Sequence, residues 1–115
     1  MRRGIQVVLG MAIALSPGSS VFAGSAREQG RQAALIVIGA LTVAHCAVKY
    51  EAWTESQAKG YVDREMSRLS DYQLRTVSRV PDSIHEQAVN RTLANYGGCH
   101  NYLLQAGHDA LLPAR

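Results

Sequence analysis

The sequence predicts an all-α fold: a small bundle of four or five helices with one long-range disulfide, preceded by a signal peptide. Three observations predict it. After residue 33, apolar residues recur mostly at three- and four-residue spacing, which is the period of a helix packed on one side. Helix-start signals and glycine stops divide this part of the chain into segments of helix length. The only two cysteines, Cys46 and Cys99, lie far enough apart to join an early segment to a late one.

Residues 1–23 have the anatomy of a secretory signal peptide. Two arginines form a basic start, an apolar run covers residues 5–15, and the small residues Val21 and Ala23 stand where a signal peptidase cleaves. We expect cleavage near Ala23 and a periplasmic or secreted location for the processed protein. The alternative is a helix that stays in the membrane, but this apolar run reaches only about half of a ~30 Å hydrocarbon core.

Removal of this segment changes the charge balance. The whole chain carries 12 Lys and Arg against 9 Asp and Glu. Arg2 and Arg3 belong to the predicted signal, which leaves 10 basic against 9 acidic residues. The basic character of the chain is therefore mostly a targeting feature, and we expect no nucleic-acid partner.

The processed chain has room for one small domain. Of the 115 residues, 92 follow the predicted cleavage site. Residues 24–32 are polar and contain glycine, which predicts a flexible lead-in, and residues 33–115 form the single helical domain. A domain of this size is marginally stable without help. In an oxidising compartment a Cys46–Cys99 disulfide would close a loop of about 54 residues and stabilise the fold by about 4 kcal/mol.

Residues 33–48 are apolar almost all round and predict a buried core helix. The segment at 35–38 also suits a strand, and periodicity alone does not separate the two. A membrane-associated protein that uses 33–48 as a short span is the alternative from another class. A helix of this length reaches about 24 Å, which is shorter than a usual span, so we expect buried core.

Capping boxes at Thr54–Gln57 and at Ser83–Glu86, of which the last is the clearest, predict two later helix starts. A second cap signal at Ser70–Gln73 predicts that the long helix after Thr54 bends or breaks near Ser70 and restarts. Apolar stripes follow each start: Ala58, Tyr61, Val62, Met66 and Leu69; Leu74, Val77 and Val80; and Ile84, Ala88, Val89, Thr92, Leu93 and Tyr96. Gly97-Gly98 ends the third of these helices, and a short last helix over 101–112 is interrupted at Gly107.

Histidines beside both cysteines raise the hypothesis of a metal site. Two thiolates and two imidazoles, from His45-Cys46 and Cys99-His100, would suit zinc or copper. Neither pair has the usual ligand spacing, and a disulfide would remove both thiolates. We therefore expect a structural disulfide, with His45 and His100 as ligands only in the alternative of a periplasmic metal-binding protein. Redox catalysis is disfavoured, because catalytic cysteines sit two residues apart and Cys99 is expected at a helix end.

No catalytic constellation is evident, so we expect no enzymatic activity, no cofactor and no small-molecule substrate. His85 and His108 are expected at the surface or in capping turns. Tyr50, Trp53 and Tyr61 cluster near one helix start, where core anchoring is favoured over an exposed patch for a partner. The predicted function is an exported small helical binding or structural module of unknown ligand, with room for an unknown protein partner.

One resemblance adds to this prediction. An early Cys46, a helix start of the Thr/Ser-x-x-Gln-Ala type at 53–58, and a late Gly97-Gly98-Cys99 are together similar to small exported helical proteins of cyanobacteria. The resemblance covers residues 45–103. It implies an exported helical protein and no particular activity.

Overall fold

In the computed structural model, residues 19–113 are described, and they form five α-helices and a single-turn 3-10 helix with no strand in that range. The helices are α1 (Ser19–Lys49), α2 (Glu55–Met66), α3 (Asp71–Ser78), α4 (Asp82–Tyr96) and α5 (Cys99–Gln105), followed by the 3-10 helix Asp109–Leu111. This confirms the all-α prediction and the number of helices. The chain divides into two compact units, Met1–Arg31 and Gln32–Arg115, and all the clusters and clefts below belong to the second.

In the first unit, only residues 19–31 are described, and they are helical. Most of the predicted signal peptide, residues 1–18, lies outside the described residues, and cleavage near Ala23 stays a prediction. Residues 24–32, expected as a flexible lead-in, continue the helix. Their Arg, Gln and Ala are good helix formers, and Glu28 pairs with Arg31 one turn later.

The second unit is organised around the C-terminal part of α1. From residue 40 to residue 47 every side chain is buried except those of Leu41 and His45. The buried hydroxyl of Thr42 donates a hydrogen bond to the Ile38 carbonyl at 2.6 Å, so this polar atom is satisfied. Leu41 is partly buried and His45 is exposed, and they lie one helical turn apart, so they mark a line along this stretch of α1 that the other helices leave partly uncovered.

Two hydrophobic clusters pack against this helix, and Leu35, which is 62% exposed, lies outside both. The disulfide cluster joins α1 to α5 and consists of Val43, Cys46, Cys99, Tyr102 and Leu103. The α3 cluster joins α1 to the α2–α3 turn and to α3, and consists of Ala33, Val37, Leu69 and Val77. The helices α3 and α5 therefore gain stability by burying apolar side chains against α1 rather than by propensity alone.

Aromatic side chains support the disulfide cluster from outside. Tyr50, Trp53 and Tyr61 are partly buried against it, and the rings of Trp53 and Tyr61 lie 5.0 Å apart. This confirms core anchoring for the aromatic group. Burial raises the pKa of Tyr102, whose hydroxyl lies 3.5 Å from the Gly39 carbonyl oxygen and donates to it. Tyr102 is thus held neutral in the core, as its position requires.

Two of the three predicted cap signals are present. Thr54 and Gln57 exchange both hydrogen bonds at the start of α2, and Ser70 and Gln73 do the same at the start of α3. The third was wrong, since α4 begins at Asp82 and Ser83 caps nothing. Pro81 occupies the cap position with φ −61° and its carbonyl accepts from the amides of the first turn, which places Ser83 inside the helix.

The inward face of α4 also differs from the prediction. Ile84, expected in the core, is 48% exposed, whereas Val89 is 7% exposed. One turn before Val89 on the same face stands His85, not Ile84, and its side chain is half-buried. The face of α4 that meets α1 is therefore more polar at its N-terminal end than the apolar residues alone predicted.

A pair of glycines sets the direction of the chain between α4 and α5. Gly97 ends α4 with φ 86°, as predicted, and Gly98 follows with φ 110° and ψ 176°. Cys99 comes next and is the first residue of α5, so its expected placement at a helix end is corrected. Only glycine adopts the backbone conformation of Gly98 without strain. The disulfide depends on this turn, because it aims Cys99 at α1.

The substitution Gly98→Ala should therefore destabilise the fold. We expect the free energy of unfolding to fall by about 1–3 kcal/mol, the cost of forcing a side chain into this region of backbone space. Chemical denaturation measures it. Gly60→Ala is the matched control, because Gly60 lies inside α2 and a new Cβ there meets only Arg64 Nη1 at 3.8 Å. It should raise stability by about 0.5–1 kcal/mol. Equal unfolding midpoints for the two variants would contradict the strained turn.

Candidate ligand groove

A cleft of about 650 Å³ opens beside the uncovered line of α1. Its floor comes from α1, and its walls come from the end of α2, from α3 and from the first half of α4. It is lined by Val37, Leu41, His45, Met66, Val77, Ser78, Val80, Asp82, His85, Glu86, Val89 and Asn90. At its floor, Leu41 is partly buried against the α3 cluster, whereas His45 is exposed.

The lining is apolar at the bottom and polar at one wall. Val37, Val77 and Val89 are buried, with exposures of 2%, 3% and 7%, so the bottom of the cleft is fixed by the packing of the core. The polar groups come mostly from the start of α4. An apolar cavity of this size with a few convergent polar groups is typical of sites that bind small ligands.

A second, smaller cleft of about 400 Å³ adjoins the first and shares Leu41 and His45 with it. It lies between α1 and the start of α2, and its other lining residues are Ala44, Val48, Lys49, Glu55 and Ala58. On α1 the combined lining runs from Val37 to Lys49, a distance of about 18 Å at the rise of an α-helix. We call the two clefts together the α1 groove.

Charge is concentrated at one end of the α1 groove. Asp82 and Glu86 line the larger cleft one turn apart on α4, and both are exposed. Within the described part of the chain, neither carboxylate forms an ion pair. The larger cleft has no Lys or Arg among its lining residues. The larger cleft therefore has two carboxylates with no Lys or Arg beside them.

The predicted disulfide is present, and it lies outside the groove. The Sγ atoms of Cys46 and Cys99 are 2.11 Å apart, and the two residues are 0% and 4% exposed. A sulfur atom that is already bonded and buried provides no thiolate for a metal or for redox chemistry. The role of this pair in the structure is to hold α5 against α1.

The histidines next to Cys46 and Cys99 lie in different surroundings. His45 lines the α1 groove, whereas His100 is exposed on α5 and lines neither cleft. Among residues 19–113 no group of three or more His, Cys, Asp or Glu side chains is placed to hold a metal ion. The idea that the disulfide brings both imidazoles to one metal site therefore has no support in this geometry.

One residue, His45, indicates the α1 groove in the sequence, although the apolar patterns alone do not identify the groove. His45 is the only ionisable residue within the apolar run of α1, and it lies one turn after Leu41. A titratable side chain at that position requires access to water, so it marks the face that no helix covers. His85, expected at the surface or in a capping turn, lines the same cleft from α4.

Part of α1 also has the length and composition of a membrane span. The candidate segment is Ala26–Lys49, 24 residues long, and an 18-residue window within it has a mean hydropathy of 1.6. The helix is longer than the expected apolar helix at 33–48, but the residues it adds include Arg27, Glu28 and Arg31, so the apolar stretch itself stays shorter than a usual span. In the structure 44% of that window is buried, and core helices and signal sequences pass the same test.

No protein-family model matches this chain, and no curated protein or solved structure matches it either. The similarity to exported cyanobacterial helical proteins stays a prediction. The function is therefore argued from the α1 groove itself.

Proposed function

We propose that this protein is an exported helical binding module that holds the apolar part of a ligand in the α1 groove. The observation that carries the proposal is the larger cleft, in which a buried apolar floor meets a polar wall from α4. An apolar floor with a few polar groups at one wall is typical of a site that binds a ligand.

The groove is supported by rigid elements. Its floor residues Val37 and Val77 belong to the α3 cluster, and α1 is fixed at its other end by the disulfide. A cavity held open by packed helices binds without first being ordered, which keeps the entropic cost of binding low. In this interpretation the disulfide serves binding indirectly, by keeping a small domain folded.

Export is supported by two features. The chain begins with an apolar segment that has the anatomy of a signal peptide, and its two cysteines are paired, which fits an oxidising compartment. An intact mass of the protein recovered from the expressing cells, taken before and after reductive alkylation, reports the cleavage site and the disulfide together. A full-length mass with two alkylated thiols before reduction would contradict export.

Binding can be tested with a neutral apolar dye. Phenylnaphthylamine should fluoresce on addition to the native protein, and Asn90→Phe should weaken its binding by about tenfold or more, because the phenyl ring fills the cleft. Asn95→Phe is the matched control, since Asn95 is exposed on the same helix but lines neither cleft. If the two variants bind the dye as the wild type does, the groove is not the binding site.

A second candidate function is membrane association through α1, favoured by the apolar 18-residue window within Ala26–Lys49. The two functions make different demands on α1, because the residues that would face lipid are those that now form the core. Carbonate extraction of membranes distinguishes them. Release of a protein of the processed mass into the aqueous fraction would contradict the span.

A further inference from the structure

We propose that the ligand of the α1 groove is a single-chain amphiphile with a basic head group. Its hydrocarbon chain lies over the apolar floor, and its ammonium group lies beside Asp82 and Glu86. This inference rests on the proposed binding function and names the class of ligand.

The charge of the larger cleft favours a cationic head. Asp82 and Glu86 bring two carboxylates to one wall, and no Lys or Arg lines that cleft. The remaining polar lining groups are His45, His85 and two neutral side chains. The start of α4 opposes the carboxylates with its helix dipole, but this equals only about half a positive charge. The net field at that wall is therefore negative.

The shape of the α1 groove favours a ligand with a single hydrocarbon chain over a bulky ligand. The charge lies at the α4 wall, and the apolar lining continues from there along α1 through Leu41 into the smaller cleft, past Ala44 and Val48. That cleft ends at one basic and one acidic residue, Lys49 and Glu55, whose charges offset each other. A charged wall followed by the Leu41–Val48 stretch of α1, about 10 Å long, matches a head group and the first part of a tail.

Three probes with the same tail test the proposal: dodecylamine, the neutral dodecyl maltoside, and dodecyl sulfate, each below its micelle concentration. Calorimetry gives the affinities, and NMR shifts of Val77 and Val89 report binding in the groove of the folded protein. We expect dodecylamine to bind at least about fivefold more tightly than the maltoside, and the sulfate to bind most weakly. The double variant Asp82→Asn/Glu86→Gln should abolish this preference, so that dodecylamine binds it no more tightly than the maltoside does. Glu51→Gln/Asp71→Asn is the matched control, because it removes two exposed carboxylates outside the groove.

The other possible results of this experiment separately contradict the head group, the ligand class or the binding function. Equal binding of the three probes, or tighter binding of the sulfate, overturns the cationic head group and leaves the binding function standing. Binding of a basic amphipathic peptide at the groove without binding of dodecylamine overturns the single-chain amphiphile. If no probe or dye shifts the groove residues, and Asn90→Phe changes nothing, both the ligand class and the proposed function are wrong.

Discussion

Loss of the Cys46–Cys99 bond lowers the free energy of unfolding by about 4 kcal/mol. The two residues are 53 positions apart, so the bond removes much of the freedom of the unfolded chain. A domain of this length has a net stability of roughly 5–14 kcal/mol, so the bond supplies a large share of the total. The double variant Cys46→Ala/Cys99→Ala, compared with the oxidised wild type by urea denaturation, measures the difference.

Reductant provides the control for this experiment. Dithiothreitol should bring the wild type close to the midpoint of the double variant and leave the variant itself unaffected. A wild type that unfolds at the same urea concentration with and without reductant would show that the bond contributes nothing.

Truncation of Leu103 has the second largest expected effect. Leu103→Ala should cost about 3 kcal/mol, because it removes a side chain that is 0% exposed and leaves a cavity between α1 and α5. Leu104 provides a matched control on the same helix, since it is the next residue and is 48% exposed. Leu104→Ala should cost less than about 1 kcal/mol. Thermal or urea unfolding measures both variants.

The two effects are coupled, because Leu103 packs in the disulfide cluster. In the background without cysteines, Leu103→Ala should cost a different amount than in the wild type. If Leu103→Ala and Leu104→Ala lose the same stability in the wild type, the packing of α5 on α1 is not as described.

Local signals predicted the fold well. The capping boxes at Thr54 and Ser70 are present because each is decided by hydrogen bonds between residues three apart. The glycine stop at Gly97 is likewise a property of one residue's backbone. The box at Ser83 failed where a stronger local constraint intervened, since Pro81 fixes its own φ and begins the helix earlier.

The α1 groove was not predictable from local signals such as capping boxes and glycine stops. Whether His45 is covered depends on how α3 and α4 lie against α1, which is a matter of tertiary packing and not of periodicity. The apolar stripe of α4 placed Ile84 inward, whereas the structure turns His85 and Glu86 toward the cleft. Sequence patterns identify which faces are apolar, but they do not tell which of those faces the other helices leave open.

The order of the helices along the chain has a consequence for biosynthesis. Protein chains emerge from the ribosome with the N-terminus first, so α1 appears before any of the helices that bury it. Leu103 and Cys99, which close the disulfide cluster, are among the last residues to emerge. During that interval the most apolar helix of the protein has no intramolecular cover, and nascent chains in this condition are prone to aggregate. A chain that ends before Cys99 would therefore leave the disulfide cluster incomplete and α1 without that part of its cover.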